Sequence, residues 1–505
     1  MAGALGILLF PAPDLGALAW FAFVPLLLLV RAAPTRREAM LRGWLGGLGF
    51  IAATLYWLLP NLIYFFPLGV AVVALLFLPW GLLVWAVLRP TAVARSAEGT
   101  PERLGWKRSL LAAVTVPAGW VLIETVRSWK PFGGPWALLG ASQWDHPAEL
   151  GLASIGGAWL LSFAIMLVNT CIVLMLTERP SVRVASAVLA AAAVVAGPVW
   201  FALHPLPPAA SGTLAVALVQ PGVVHDPQAR DERGVAITQK LVGRQVGLVV
   251  WGESSGDDGL TGNASDQRQL TALSAALDAP ILVNANGTLP NGDLEKISYV
   301  YTADGMHGQY AKTRLVMFGE YIPFSGELHW LTSLTKAAGV NLVPGHGLAV
   351  FRDGGMEVGP LICFESAFPD MARTEADHGA QILVYQSEDT TFQGSWEPAQ
   401  HASLAAVRAA ETGRPAVQAS LAGVSAAFDA QGRELAWLPK DDVGSVVAHV
   451  PVQSAQTPYD RYGNYVPIAS AAVVALSASA LALAFRRRSA AKPLAIDEPV
   501  VEADF

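Results

Sequence analysis

The stretch GPLICFESAFPD, residues 359–370, decides how this chain is read. With Val358 before it, the run to Phe364 is continuous and apolar, as a strand buried on both faces requires. It carries a single cysteine, Cys363, at its end. The end of a strand in an α/β sheet opens onto a crevice, a common place for reactive groups. Similar runs lie around it: TLAVALVQ (213–220), VGLVVW (246–251), APILVNA (279–285) and AQILVYQ (380–386). SYVYTADGMHGQYAK (298–312) reads as a hairpin turning at Asp304-Gly305, and AVQASLAGVSAAFDAQGREL (416–435) as another. EPAQHASLAAVRAAET (397–412) reads as a helix stopped by Gly413. Strand, helix and hairpin in this order predict a layered α/β domain.

Outside this region the chain changes character. It has 505 residues, 53% hydrophobic and only 14% charged, with mean hydropathy +0.42. Soluble domains carry about 25% charged residues, so part of this chain belongs in lipid. Spans are predicted near 15–31, 41–60, 66–89, 108–128, 152–176, 182–203 and 466–485, each near the 20 or so apolar residues that cross a bilayer. The short run 2–11 (AGALGILLFP) is read as a retained first helix, which makes eight. The domains expected are a transmembrane part (1–205), an α/β part (206–465), a last span (466–485) and a polar tail (486–505).

Charge orients these parts. Arg31, Arg36, Arg37 and Arg42 flank one loop, and Arg89, Arg95, Arg103, Lys107 and Arg108 another. Arg179 and Arg183 mark a third, and Arg486, Arg487 and Arg488 follow the last span. By the positive-inside rule these four loops are cytoplasmic, so residues 206–465 are expected outside the membrane. That part holds 28 acidic and 16 basic residues between 212 and 465 within a chain of net charge -7. Its acidity argues against nucleic acid as a partner.

Three residues near apolar strand runs carry the candidate chemistry: Glu253 after LVVWG, Lys312 in QYAKTRL, and Cys363. A thiol needs a base to become the attacking thiolate. A buried carboxylate can serve, and an ammonium can hold a developing oxyanion together with the backbone N–H after the cysteine. Each residue also has an ordinary explanation. A buried free cysteine is usually packing, a glutamate after a strand is usually a solvated charge, and a hairpin lysine is usually surface. Glu124 and Arg127, three apart at the outer end of a span, read best as an i, i+3 pair that neutralises itself. Trp129 and Trp136 read as interface anchors. The nine histidines show neither metal spacing nor a Cys-His protease pattern, and Cys171 and Cys363 are not expected to meet.

VVWGES around Glu253, YAKTRLVMFGEYIPF (310–324) and GPLICFESAFPD resemble the three signature blocks of the nitrilase, or carbon–nitrogen hydrolase, superfamily. The form FGEYIPF, the Cys363-Phe364-Glu365 step and TPYDRYGNY (457–465) are similar to its apolipoprotein N-acyltransferase branch. So are FPAPDLGALAWFAFVPLLLLV (10–30), GFIAATLYW (49–57) and the stretch from GWVLIETVRSW to GGPWALLGASQ (119–143) in the membrane part. The resemblance implies a multi-span helical membrane domain joined to an αββα sandwich. It implies Cys363 as nucleophile, Glu253 as general base and Lys312 as oxyanion stabiliser, with Glu320, Phe364 and Glu365 in support. Glu320 and Glu365 are expected to orient or charge-balance Lys312. Two departures stand out. Gly252 occupies a position where the family generally has proline, so a looser backbone is expected beside Glu253. SEDTTFQGSW (387–396) lacks the family's Asn-Asp and Trp-Phe-Gly run, so lipid or acceptor preference is expected to differ.

The expected reaction is a two-step acyl transfer in the bacterial cytoplasmic membrane, on its outer side. A phospholipid donates an acyl chain to the cysteine, and a diacylglyceryl apolipoprotein accepts it. No metal or organic cofactor is required. Two alternatives use the same sequence differently: a membrane-tethered amidase or nitrilase in which water resolves the thioester, and a non-catalytic scaffold that binds lipid or a partner.

Overall fold

The computed structural model describes residues 1–63, 65–89, 103–206, 212–258, 260, 262–322, 342–353 and 355–490, with side chains for all of these except Asp353 and 484–490. Arg95, Pro323, Phe324 and the tail beyond residue 490 lie outside the described residues.

Twelve strands follow in chain order: β1 Thr213–Gln220, β2 Leu248–Trp251, β3 Ile281–Thr288, β4 Leu294–Thr302, β5 Gly305–Ala311, β6 Phe351–Asp353, β7 Met356–Ile362, β8 Ile382–Ser387, β9 Ala416–Ser420, β10 Ser425–Phe428, β11 Glu434–Leu438 and β12 Gly444–Pro451. They build two sheets of six, ordered β12-β1-β2-β3-β4-β5 and β11-β10-β9-β8-β7-β6. The centre of each is parallel (β1-β2-β3 and β7-β8-β9), and the neighbours outside these centres pair antiparallel.

Alternation along the central strands explains their continuous apolarity. Val216, Leu218, Val384 and Val417 point between the sheets. Ala217 and Val219 point the other way, into a layer holding the helices Pro227–Gln239 and Ala264–Leu277. Both faces are buried, so no polar alternation survives in the sequence. The second sheet carries the helices Pro369–Asp377 and Glu397–Thr412, which completes an αββα sandwich. The latter helix ends where Gly413 turns left-handed (φ 68°), as its sequence predicted.

The outer face of this second sheet does not meet water. Leu383, Tyr385 and Val407 belong to the same apolar core as Phe50, Phe77, Trp120 and Ile165 of the membrane helices. The long helix Pro147–Thr177 breaks at Gly156 and Gly157, and a side chain at Gly157 (φ 71°) would strike the Tyr459 ring at 2.7 Å. The Ala158 N–H freed by this break donates to buried Glu411 at 2.7 Å. Helix and sandwich are thus joined by a polar lock as well as by apolar area.

Of the eight expected spans, those near 2–11 and 15–31 are not helices of spanning length. Five described helices are long and apolar enough to cross a membrane, and six if the pair Arg36–Thr54 and Tyr56–Leu62, bent by 64°, counts as one. Residues 2–11 instead form a seven-residue 3-10 helix, Gly3–Leu9. At about 2 Å rise per residue it covers roughly half of a 30 Å hydrocarbon core. It packs on Gly46 and Phe50, where Gly3 and Gly6 leave no room for a side chain. Residues 16–31 divide into Gly16–Trp20 and Val24–Arg31 and are also short of a span. Elsewhere close approach holds the bundle: Gly43 and Gly81 face each other, and a Cβ on either would meet the other's Cα within 3 Å.

Three basic loops converge at one end. Arg31 pairs with buried Glu178 at 3.3 Å, and Glu178 also accepts the Leu104 N–H at 2.6 Å. At the other end of the helix Trp106–Arg127, residues 129–146 pack against the sandwich.

Candidate active site

Glu253 follows β2, Lys312 follows β5, and Cys363 follows β7, so the sandwich brings all three to one end of its sheets. Lys312 is wholly buried. Its Nζ donates to Glu253 Oε1 at 3.0 Å and to Glu320 Oε1 at 2.7 Å. Burial alone would push this ammonium down, but the two carboxylates outweigh it and hold Lys312 well above its ordinary value. The lysine therefore stays charged throughout the working pH range.

Cys363 does not continue its strand. It begins a 3-10 turn, Cys363–Ala367, with left-handed backbone (φ 49°). A non-glycine residue held there is strained, and such strain gathers at functional sites. Burial raises the Cys363 thiol well above its usual value; Glu253 raises it further, and Lys312 opposes both. The thiol rests protonated, next to a carboxylate and an ammonium.

Of the supporting residues, Glu320 sits as expected on Lys312, with its second oxygen accepting the Val316 N–H at 2.7 Å. Glu365 makes no hydrogen bond to Lys312 and meets the expectation only through its charge. Its carboxylate accepts from the Ile362, Thr313 and Arg314 N–H groups at 2.8–3.0 Å and from the Tyr310 and Thr313 hydroxyls. It ties the cysteine turn to the segment after Lys312, and the lysine's charge still favours its carboxylate form. Phe364 lies edge-to-face on Phe368 at 4.8 Å and presses against Gly134, where a Cβ would come within 2.8 Å of its ring.

Gly252 is not loose. A Cβ there would lie 2.0 Å from the Leu421 nitrogen, while the Glu253 and Leu421 N–H groups both donate to Ser387 O at 3.0 and 2.9 Å. The absence of a side chain lets β2 and β9 close on each other and fixes Glu253. Gly252→Ala is expected to destabilise the protein by about 2–3 kcal/mol through overpacking. Thermal unfolding in detergent measures this, and the reactivity of Cys363 should fall with it.

The membrane part forms one wall of the site. Trp57 lies edge-to-face with Trp136 and with Phe392, both at 5.1 Å. Tyr56 Oη accepts the Trp396 N–H at 3.0 Å. Residues 387–396 are thus the seam between the two parts. Trp136, read as an interface anchor, is instead buried with its ring 5.4 Å from that of His401, whereas Trp129 is exposed. Glu124 and Arg127 do not neutralise each other by direct contact. Glu124 accepts from Trp120 Nε1 and the Leu139 N–H, and Arg127 donates to Trp136 O and Ala137 O. They pin residues 136–139 beneath the site.

Sequence reasoning missed His401 and Asp389. Both are buried, joined Nδ1 to Oδ1 at 2.8 Å, and lie against the cysteine turn. The Cys363 sulfur, an Asp389 oxygen and a His401 nitrogen lie within 4.8 Å of one another. Asp389 and His401 lie twelve positions apart across the seam, so no helical or strand period links them.

A half-buried thiol, a buried carboxylate and a buried ammonium thus meet on this sandwich, and residues 267–459 match the family described as carbon-nitrogen hydrolase. Residues 2–171 match the apolipoprotein N-acyltransferase N-terminal domain. The chain is 30% identical to the apolipoprotein N-acyltransferase of Azotobacter vinelandii, covering 99% of this chain and 96% of that one. It is 28% identical to that of Geobacter metallireducens, covering 97% and 95%. The chain belongs to the apolipoprotein N-acyltransferase family. Among solved structures, Nit3 of Saccharomyces cerevisiae, a member of branch 10 of the nitrilase superfamily, is similar at 20% identity and TM-score 0.39 over 48% of this chain and 92% of its own.

Proposed function

We propose that this protein moves an acyl chain from a membrane phospholipid, through a thioester on Cys363, to the N-terminal amine of a diacylglyceryl-cysteine lipoprotein. One observation carries the reading: Lys312, wholly buried, is clamped between Glu253 and Glu320 beside a protonated thiol, at a seam walled by membrane-part aromatics. Glu253 takes the thiol proton as sulfur attacks the ester carbonyl, and the carbonyl electrons move onto oxygen. Lys312 and the Phe364 N–H hold that oxyanion. Its collapse breaks the ester C–O bond, and the leaving lysophospholipid oxygen takes the proton from Glu253. The lipoprotein amine then attacks the thioester, gives its proton to Glu253, and expels the thiolate, which recovers that proton.

The converging basic loops support a cytoplasmic-membrane protein with the sandwich on the outer side. Both substrates would be anchored in the outer leaflet. A site at that surface avoids drawing acyl chain into water, which costs about 0.8 kcal/mol per CH₂.

Intact-mass spectrometry after incubation with phospholipid tests the reading. A hydroxylamine-sensitive acyl adduct is expected on the wild type and not on Cys363→Ser or Cys363→Ala, and a diacylglyceryl peptide should discharge it onto the peptide amine. Discharge to water alone would favour the hydrolase. Absence of any adduct on folded protein would favour the scaffold.

A further inference from the structure

His401 is buried at 1% exposure on the helix Glu397–Thr412, and both its ring nitrogens are engaged. Nδ1 faces Asp389 Oδ1 at 2.8 Å, with Glu397 Oε1 at 3.7 Å. Nε2 faces the Cys363 carbonyl oxygen at 3.1 Å and Ser366 Oγ at 3.0 Å. A carbonyl oxygen only accepts, so Nε2 carries a proton. Asp389 beside Nδ1 favours a second proton there, and with it the charged ring. Burial opposes that charge, but Asp389 outweighs it and raises His401 above its ordinary value.

The carbonyl that His401 grips belongs to the peptide joining Cys363 to Phe364. That unit is planar, and in a trans peptide its C=O and N–H point in opposite directions. Fixing the oxygen toward His401 therefore aims the Phe364 N–H the other way. The second bond, to Ser366, holds the fourth residue of the same turn, so one ring braces both ends of the segment that keeps Cys363 left-handed.

We propose that His401, buttressed by Asp389, is a positioning residue that sets the Cys363–Phe364 peptide so that its N–H serves the oxyanion. This rests on Cys363 being the acylated nucleophile. His401 touches neither the reacting carbonyl nor the proton in transfer, because Glu253 and Lys312 act there. Trp136, with its ring 5.4 Å from the imidazole and its carbonyl held by Arg127, closes the ring's outer side. The membrane part thereby contributes to the placement of an oxyanion donor in the sandwich.

The test measures phospholipid-dependent acylation by intact mass on the full-length protein in detergent, for wild type, His401→Ala, His401→Gln, Asp389→Asn and Cys363→Ser. Loss of one oxyanion donor costs about 10²–10³ in turnover, so His401→Ala should acylate about 100-fold more slowly. Its KM for phospholipid should stay within about twofold, as for an interaction made only in the transition state. His401→Gln keeps an N–H that can reach the Cys363 carbonyl and should recover at least about tenfold over alanine. Asp389→Asn should fall between wild type and His401→Ala. Alkylation of Cys363 by iodoacetamide needs thiolate but no oxyanion hole. It should still go to completion in each variant that keeps Cys363, which reports that its site is folded. It should be faster in Asp389→Asn, which loses a carboxylate that raises the thiol. His401→Ala acylating at the wild-type rate would overturn the inference. So would a loss carried by KM, or a His401→Gln no better than alanine. Adduct on Cys363→Ser would instead overturn the nucleophile assignment on which the inference stands.

Discussion

Lys312→Met is expected to abolish measurable acylation and to destabilise the protein by about 3–5 kcal/mol, the usual consequence of removing one partner from a buried ion pair. Methionine fills the space of the lysine stem but leaves Glu253 and Glu320, both bonded to Nζ in the wild type, facing each other without a cation. Like charges so placed cannot both stay ionised, so one takes up a proton. The variant should therefore lose stability as pH rises, because the unfolded chain ionises both carboxylates freely while the fold must keep one protonated. Adding Glu320→Gln removes the repulsion. That double variant should regain most of the lost stability and none of the activity. Unfolding midpoints at pH 5 and pH 8 beside acylation rates measure both. A double variant that recovered acylation would show that the ammonium serves only as a counter-ion to the carboxylates.

The sequence announced the sandwich because its central strands are apolar on both faces, and β1 occupies the very residues, 213–220, read as a strand. The cysteine's place at a strand end was equally legible. Its left-handed turn was not, since nothing in the order Ile362-Cys363-Phe364 requires φ 49°. The hydrogen-bond partners of Glu365 were hidden for a related reason. A motif tells which carboxylates lie near a lysine, but not whether a carboxylate bonds the side chain or the neighbouring N–H groups. Composition found the membrane part, yet hydropathy alone could not distinguish a spanning helix from a short element such as Gly3–Leu9 wedged against Gly46. The contacts hardest to foresee lie between the two parts, Trp136 on His401 and Glu411 on the Ala158 N–H, or within an irregular loop of the membrane part, Arg127 on the carbonyls of Trp136 and Ala137. Each joins residues distant in sequence or in an irregular loop, where neither helical nor strand periodicity applies.

Glu253→Gln separates the chemistry from the fold. Glutamine keeps the shape of the side chain, and Lys312 keeps Glu320, so stability should change little compared with Lys312→Met. Loss of the general base should slow acylation at pH 7 by about 10²–10⁴-fold. The pH dependence then identifies the role. In the wild type, burial and Glu253 together hold the thiol well above its ordinary value, so thiolate is scarce before attack and the proton must leave with the attack. In Glu253→Gln the carboxylate's repulsion is gone while Lys312 still favours the thiolate, so the thiol becomes more acidic than in the wild type. The residual rate should then follow the thiolate fraction, rising about tenfold per pH unit between pH 7 and pH 9 until the thiol's own titration is reached. Alkylation by iodoacetamide, which requires only thiolate, should rise along the same slope and exceed the wild-type rate at pH 9. A Glu253→Gln enzyme with a flat pH profile would mean that proton removal is not what Glu253 supplies. Wild-type acylation in that variant would move the base to another group. The combination expected here, slow acylation with a more reactive thiol, arises only if Glu253 acts as the base while its charge holds the resting cysteine protonated.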